Sequence, residues 1–172
     1  MHVSYELNQF TKSNLAATKS RWQSVAGKDE FASEYTVLFD WVNTHKDYSA
    51  LKADSLAYGL FAPKSRYASA IVDVVSSKKG KRGITKLLKV YVTPELWDVT
   101  THQSQIIDIF AGAIFGTIDL SVKISSDTVK LYGRSDELLS LLHSLHIHLN
   151  RSPKLMSTTV TMQGRWLQIA TS

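Results

Sequence analysis

The sequence contains no cysteine and only three prolines among its 172 residues. Without thiols the chain can form no disulfide framework, use no cysteine nucleophile and ligate no metal through sulfur. It also lacks an uninterrupted apolar run of the roughly 18 residues that span a bilayer, and its first residues do not resemble a signal peptide. We therefore expect a cytoplasmic protein without a membrane segment.

Extreme composition is absent as well. Hydrophobic residues make up 44% of the chain and charged residues 20%, which is typical of soluble globular proteins and excludes disordered, collagen-like and coiled-coil classes. The sequence shows no repeat, linker or low-complexity segment. At this length it predicts one domain over residues 1–172.

The positive charge is concentrated in one stretch of the chain. The net charge is +5, but residues 78–89 contain six lysines or arginines and no acid, so the remainder carries −1. This stretch indicates either a contact with nucleic acid or an acidic protein, or a solvated hairpin tip that protects a sheet edge from pairing. Its basic residues are Lys78, Lys79, Lys81, Arg82, Lys86 and Lys89.

Hydrophobic periodicity and turn residues divide the chain into strands and helices. Alternation at Ile118, Leu120, Val122 and Ile124, for example, predicts a strand. The predicted order is a strand over 2–7, a helix from Thr11 or Ser13 to Gly27, a second helix from Asp29 through Val42, strands over 56–62, 67–75 and 84–92, a helix from Thr100 or Thr101 to Gly116, a strand pair over 118–124 and 129–132 or one long bent strand, a helix from Ser135 to Asn150, and a terminal hairpin over 158–162 and 165–169 or one long strand.

This order predicts an α/β (α+β) domain with a mixed, mostly antiparallel central sheet and helices on both faces. It resembles the GNAT superfamily of acyl-CoA-dependent N-acetyltransferases over nearly the whole chain. The sharpest similarity is Leu88–Glu95, which resembles the end of that family's central strand with its Val-x-Pro-Glu phrase. Tyr132, Gly133 and the helix from Ser135 stand where the family has its next strand and helix.

The resemblance implies a V-shaped opening between the strand at Leu88–Val92 and the strand around Val122–Tyr132. It implies that acetyl-CoA would pair its pantetheine arm with the backbone at Val90, Tyr91 and Val92. The helix start at Thr100, Thr101, His102 and Gln103 would face the pyrophosphate, because free amides and the helix dipole favour anions there. The family's glycine-rich phosphate loop is missing, and Glu95 and Asp98 precede this helix instead.

Two side chains are candidates for catalysis. Tyr132 stands where the departing sulfur would lie, so its hydroxyl could act as general acid, or it is simply a half-buried tyrosine. Asp73 could be a base, or the polar face of an alternating strand. Because the phosphate loop is lost, the sequence allows either an active acyltransferase with an amine acceptor or a relative that kept the fold alone.

Two further features have simpler explanations. His143 and His146 are spaced to share a helix face and could suggest zinc, but His148 points away from them and no cysteine or carboxylate completes a site, so a solvated helix face is expected and no metal. The almost continuous apolar helix at 106–115 allows a homo-oligomer. A non-enzymatic binding module that uses residues 78–89 remains the alternative function.

Overall fold

The structure is a computed structural model that describes residues 4–46, 55–79, 82–151 and 158–171. Seven strands form one mixed sheet in the order β1-β2-β3-β4-β5-β7-β6, which confirms the predicted fold class. β4 and β5 are parallel, whereas β1–β2, β5–β7 and β6–β7 are antiparallel. The strands are β1 (Glu6–Gln9), β2 (Ser55–Phe61), β3 (Ala68–Lys79), β4 (Arg82–Val92), β5 (Thr128–Tyr132), β6 (Thr158–Gln163) and β7 (Trp166–Thr171).

The described residues also form five α-helices. They are α1 (Lys12–Ala26), α2 (Lys28–Glu34), α3 (Thr36–His45), α4 (Val99–Lys123) and α5 (Asp136–Asn150), and a short 3₁₀ turn covers Pro94–Leu96. The chain divides into two compact units. Unit 1 comprises Met1–Asp73 and Val90–Ala113, and unit 2 comprises Val74–Lys89 and Ile114–Ser172. The single-domain assignment stays a prediction.

An aromatic cluster forms the core of unit 1. The fully buried Trp22 of α1 packs edge-on against Tyr35 and Phe39, with ring centroids 5.3 and 5.5 Å away. Its indole N–H donates to the carbonyl oxygen of Ala68 on β3 at 3.0 Å, so α1 is fixed to the sheet by a buried hydrogen bond as well as by packing.

The helix signals of unit 1 are largely confirmed. Thr11 caps α1 through a reciprocal capping box with Asn14, and Gly27 ends the helix at φ +83°. The expected second helix is two helices, α2 and α3, with Tyr35 (φ −115°, ψ −18°) between them still in the right-handed helical region. Phe31 and Val42 are buried on the predicted apolar face all the same.

Unit 2 is built on a cleanly alternating sheet. One face is buried, and the buried leucines Leu138 and Leu142 of α5 belong to the same unit. Gly164 at φ +59° makes the β6–β7 hairpin that the sequence predicts. The buried face comprises Thr85, Leu87, Val129, Leu131, Val160, Leu167 and Ile169.

The predicted strand over 118–124 is wrong, because these residues belong to α4, which continues through Gly116 to Lys123. The helix buries the small residues Thr117 and Ser121, and the Ser121 hydroxyl donates to the carbonyl of Ile118 at 2.6 Å. Val122, expected on the apolar face of a strand, is 73% exposed. The alternation of apolar residues over 118–124 therefore does not reflect which residues are buried.

The segment Thr101–Lys123 of α4 is also long and apolar enough to cross a membrane, with mean hydropathy 1.5. Only 33% of its most apolar window is buried. Length and composition alone are weak evidence for a membrane span, since core helices of soluble proteins meet the same criterion.

Candidate functional site

The parallel pairing of β4 with β5 stops before either strand ends. Within unit 2 the ladder runs from Ile84–Thr128 to Leu87–Leu131. β5 ends one residue later, at Tyr132, and pairs with β7 along its other edge, whereas β4 continues to Val92. The β5-side edge of β4 therefore has no partner in the described register from Leu88 onward.

Unpaired strand edges carry free amide and carbonyl groups, which an extended ligand with amides of its own can use. Leu88 and Lys89 are half-buried at this point, so their backbone is neither deep in the core nor fully solvated. The sequence predicted an opening between Leu88–Val92 and the strand around Val122–Tyr132. That strand starts at Thr128, and the opening itself stays a prediction.

The last residues of β4 belong to unit 1. Val90, Tyr91 and Val92 are half-buried, and the Tyr91 side chain packs against the aromatic core, so only its backbone is available to a ligand. The amide of Thr93 donates to the carbonyl of Ser69 at 2.9 Å, which holds the strand end against β3. The hydroxyl of Thr93 is buried and has no hydrogen-bond partner among the described residues.

The start of α4 is already occupied by a carboxylate. Asp98 Oδ1 accepts from the Thr101 amide at 3.4 Å, and Asp98 Oδ2 accepts from the Thr101 hydroxyl at 2.6 Å. His102 is half-buried at a kink (φ −114°, ψ 17°), and Gln103 is exposed. The side chain of Thr100 lies outside the described set. This end of α4 does not fit a pyrophosphate as it stands, because the capping charge repels it.

The loop before α4 rests on contacts that the sequence did not reveal. Trp97 is 51% exposed and stacks on the buried Tyr35 at 5.9 Å, while Glu95 forms an ion pair with Arg21 of α1. Burial raises the pKa of Tyr35 to about 12, despite a side-chain hydrogen bond with Trp97 that lowers it. The loop is therefore tied to α1 and to the α2–α3 break.

Tyr132 ends β5 in unit 2 and is half-buried. Its ring lies 4.8 Å from that of Trp166, and its hydroxyl has no hydrogen-bond partner among the described residues. The following turn is fixed, because Arg165 Nε donates to the carbonyl of Gly133 at 2.6 Å and a Cβ on Gly133 would lie 2.9 Å from Leu139 Cα. The turn that follows Tyr132 is thus held in place by contacts within unit 2.

Asp73 lies on β3 at the edge of unit 1 and is 8% exposed. Its Oδ1 accepts a hydrogen bond from the Ser55 hydroxyl at 2.8 Å. No lysine, arginine or histidine of the described residues forms an ion pair with it. Asp73 is therefore a buried carboxylate that Ser55 holds in place, and its role as a base stays a prediction.

The basic stretch is only partly visible in the described residues. Lys81 and the side chains of Lys78, Lys79 and Arg82 lie outside them, so the polyanion prediction stays untested there. Lys86 and Lys89 are half-buried on opposite faces of β4. Within the described ranges no group of three histidines or acids could hold a metal ion, and the side chain of His148 lies outside those ranges.

These features define a class of protein: a mixed α/β sheet with one parallel strand pair, β4 and β5, whose ladder ends next to the half-buried Tyr132. The fold resembles GNAT-family acetyltransferases, as the sequence predicts. Similar solved structures include a GNAT acetyltransferase from Staphylococcus aureus Mu50 (10% identity, 95% of this chain and 97% of that one, TM-score 0.44) and one from Brucella melitensis in complex with acetyl-CoA (12%, 98% and 89%, 0.48).

A third similar structure is the PaiA N-acetyltransferase from Thermoplasma acidophilum in complex with coenzyme A, with 14% identity, coverage of 98% of this chain and 99% of that one, and a TM-score of 0.39. At such identities the likeness concerns the fold alone. No protein-family model matches the chain, and no curated protein does so either.

Proposed function

We propose that this protein is an acyl-CoA-dependent N-acyltransferase that takes its acyl donor along the free edge of β4. The observation that carries the proposal is the end of the β4–β5 ladder at Leu87–Leu131, while β4 continues to Val92. Acetyl-CoA is the proposed donor, an amine is the proposed acceptor, and the cytoplasm is the proposed compartment.

The pantetheine arm fits the strand edge chemically. It is an extended chain with two amides, and the backbone at Leu88 and Lys89, followed by Val90–Val92, offers amides and carbonyls to such a chain. The phosphates fit less well, since Asp98 holds the Thr101 amide. In this proposal the strand edge supplies most of the affinity for acetyl-CoA. Thr100–Gln103 contact the pyrophosphate only when the Asp98 carboxylate moves away from the Thr101 amide.

Two groups have proposed roles in the transfer. The acceptor amine forms a bond to the acyl carbon, the carbon–sulfur bond breaks, and the amine loses a proton. Tyr132, whose hydroxyl has no partner among the described residues, would give a proton to the leaving thiolate, and Asp73 is proposed as the base that takes the proton from the amine. Asp73 is buried and bonded to Ser55, so it would act through that hydroxyl or through water.

Calorimetric titration with acetyl-CoA and with acetyl-pantetheine tests the donor site. Both should bind, with acetyl-pantetheine retaining most of the affinity because the strand edge is the main contact. Absence of heat and of any thermal shift with either ligand at millimolar concentration would refute acyl-donor binding.

Tyr132→Phe separates catalysis from binding. Loss of a general acid should lower kcat by about 10²-fold or more while the Kd of acetyl-CoA stays unchanged. Tyr91→Phe is the matched control, because the Tyr91 ring packs against the core. If acetyl-CoA binds and no amine is acylated by the unaltered protein, the chain is a relative that kept donor binding and lost transfer.

A further inference from the structure

The second face of the sheet in unit 2, opposite its buried face, is partly exposed to solvent. Side chains of β4, β5, β7 and β6 alternate, and every member of this face is half-buried or exposed, whereas its neighbours along each strand are mostly buried. We call it the open face. It comprises Ile84, Lys86, Leu88, Thr128, Lys130, Tyr132, Trp166, Gln168, Ala170, Thr159, Thr161 and Gln163.

The strand registers order this face into rows. One row runs Lys86–Lys130–Gln168–Thr161 across four strands, and three interstrand spacings make it about 14 Å long. The next row contains the cross-strand pair Tyr132–Trp166. Lys130 and Tyr132 are two residues apart on one strand, so about 7 Å separates the charged row from the aromatic row.

The charge on the open face has one sign. Lys86 and Lys130 lie directly opposite each other, and neither forms an ion pair or a hydrogen bond with any described residue. The face contains no aspartate or glutamate. Adjacent like charges without a counterion destabilise a sheet slightly, so an anionic partner would relieve the repulsion as well as gain contacts.

The aromatic pair adds a second kind of contact. The rings of Tyr132 and Trp166 are 4.8 Å apart at 44°, and both are partly exposed. Gln168, Gln163 and the threonines supply amides and hydroxyls beside them. Single-stranded nucleic acids bind to sheet faces of this composition. Lysines contact the phosphates, aromatic rings stack on the bases, and side-chain amides form hydrogen bonds with the base edges.

We propose that the open face binds single-stranded nucleic acid, with phosphates at Lys86 and Lys130 and a base stacked at Tyr132–Trp166. A second copy of the chain fits worse, because two such faces would bring four lysines together without an acid. A purely acidic protein surface would leave the aromatic pair unused. The proposal does not depend on acyl-CoA binding.

Fluorescence anisotropy with a labelled single-stranded oligonucleotide, titrated over a range of salt concentrations, tests this surface. Replacing both lysines (Lys86→Gln with Lys130→Gln) should weaken binding at low salt and flatten the plot of log affinity against log salt by about 1.4, since two phosphate contacts are lost. Trp166→Ala should weaken binding about tenfold, and Trp166→Phe should restore most of it by keeping an aromatic face.

Matched controls come from unit 1. Lys12→Gln with Lys28→Gln removes the same charge from exposed helix positions, and Trp97→Ala removes an exposed indole; neither should change the affinity. Circular dichroism on each variant verifies folding. The proposal is overturned if single strands do not bind at low salt, if the controls weaken binding as much, or if polyglutamate binds as tightly as the oligonucleotide.

Discussion

Replacing Asp98 by asparagine tests whether the start of α4 meets the phosphates of an acyl donor. The Asp98 carboxylate caps the helix through the amide and the hydroxyl of Thr101, at 3.4 and 2.6 Å. Asparagine caps a helix as well as aspartate does, so the change removes the charge and keeps the local geometry. A phosphate that contacts this end of α4 would lie within a few ångströms of the carboxylate.

The size of the effect follows from Coulomb's law. At about 4 Å in a water-like medium one pair of unit charges interacts by about 1 kcal/mol, which is about fivefold in affinity. Asp98→Asn should therefore tighten CoA binding about fivefold at low salt, and the gain should shrink as salt screens the charges. The affinity for acetyl-pantetheine, which has no pyrophosphate, should stay the same.

Isothermal titration of both ligands at two salt concentrations measures the difference. Asp29→Asn is the matched control, because it removes one exposed carboxylate from the first turn of α2. If Asp98→Asn leaves the affinity for CoA unchanged, or changes it no more than Asp29→Asn does, the phosphates do not contact the start of α4 and that part of the reasoning is wrong.

Three further predictions concern stability, each measured by denaturant unfolding. Thr11→Ala removes the capping box of α1 and should cost about 1 kcal/mol, with Thr11→Ser close to the unaltered protein. Leu142→Ala empties a fully buried site and should cost about 2–5 kcal/mol, clearly more than the same change at the half-buried Leu141. The pKa of Tyr35 is raised from 10.0 to about 12, so the folded protein keeps its phenolic proton at pH values at which the unfolded chain loses it. The free energy of unfolding should therefore be unaffected by this group below pH 10 and should fall between pH 10 and about 12. The Tyr35→Phe variant should lose less stability over that interval.

Much of the fold follows from local signals in the sequence. The capping residues Thr11 and Ser135, the stop at Gly27 and the hairpin at Gly164 all act within a few residues, so a linear pattern contains them. Ser135 accepts from the Leu138 amide at 3.2 Å, as expected of a helix cap. Strand positions and their order follow from period-2 runs for the same reason.

The errors have a common physical cause. α4 buries Thr117 and Ser121, whose hydroxyls are small enough for close packing, and leaves Val122 exposed. Assigning buried positions from hydrophobicity alone therefore gives the period of a strand where the structure has a helix. Gly116 lies inside that helix because tertiary packing outweighs its weak helix propensity.

The candidate site was only half predictable. Strand patterns place Val90–Val92 and Tyr132 in strands, but their proposed roles came from the GNAT resemblance, because a local pattern does not say which strands are neighbours. The exact end of the β4–β5 ladder at Leu87 is a matter of register, and no local signal fixes it. The capping contact of Asp98 could have been suspected from Asp-x-x-Thr before a helix, but whether it holds the amide is a question of geometry.

The central claim is that the free edge of β4 holds an acyl donor. Amide hydrogen exchange at Leu88–Val92, with and without saturating acetyl-CoA, tests it most directly, since exchange reports the pairing of individual backbone amides. The account predicts slower exchange at these residues when acetyl-CoA is bound, with no change at the β6–β7 hairpin around Gly164. Unchanged exchange at Leu88–Val92 under saturating acetyl-CoA would contradict it.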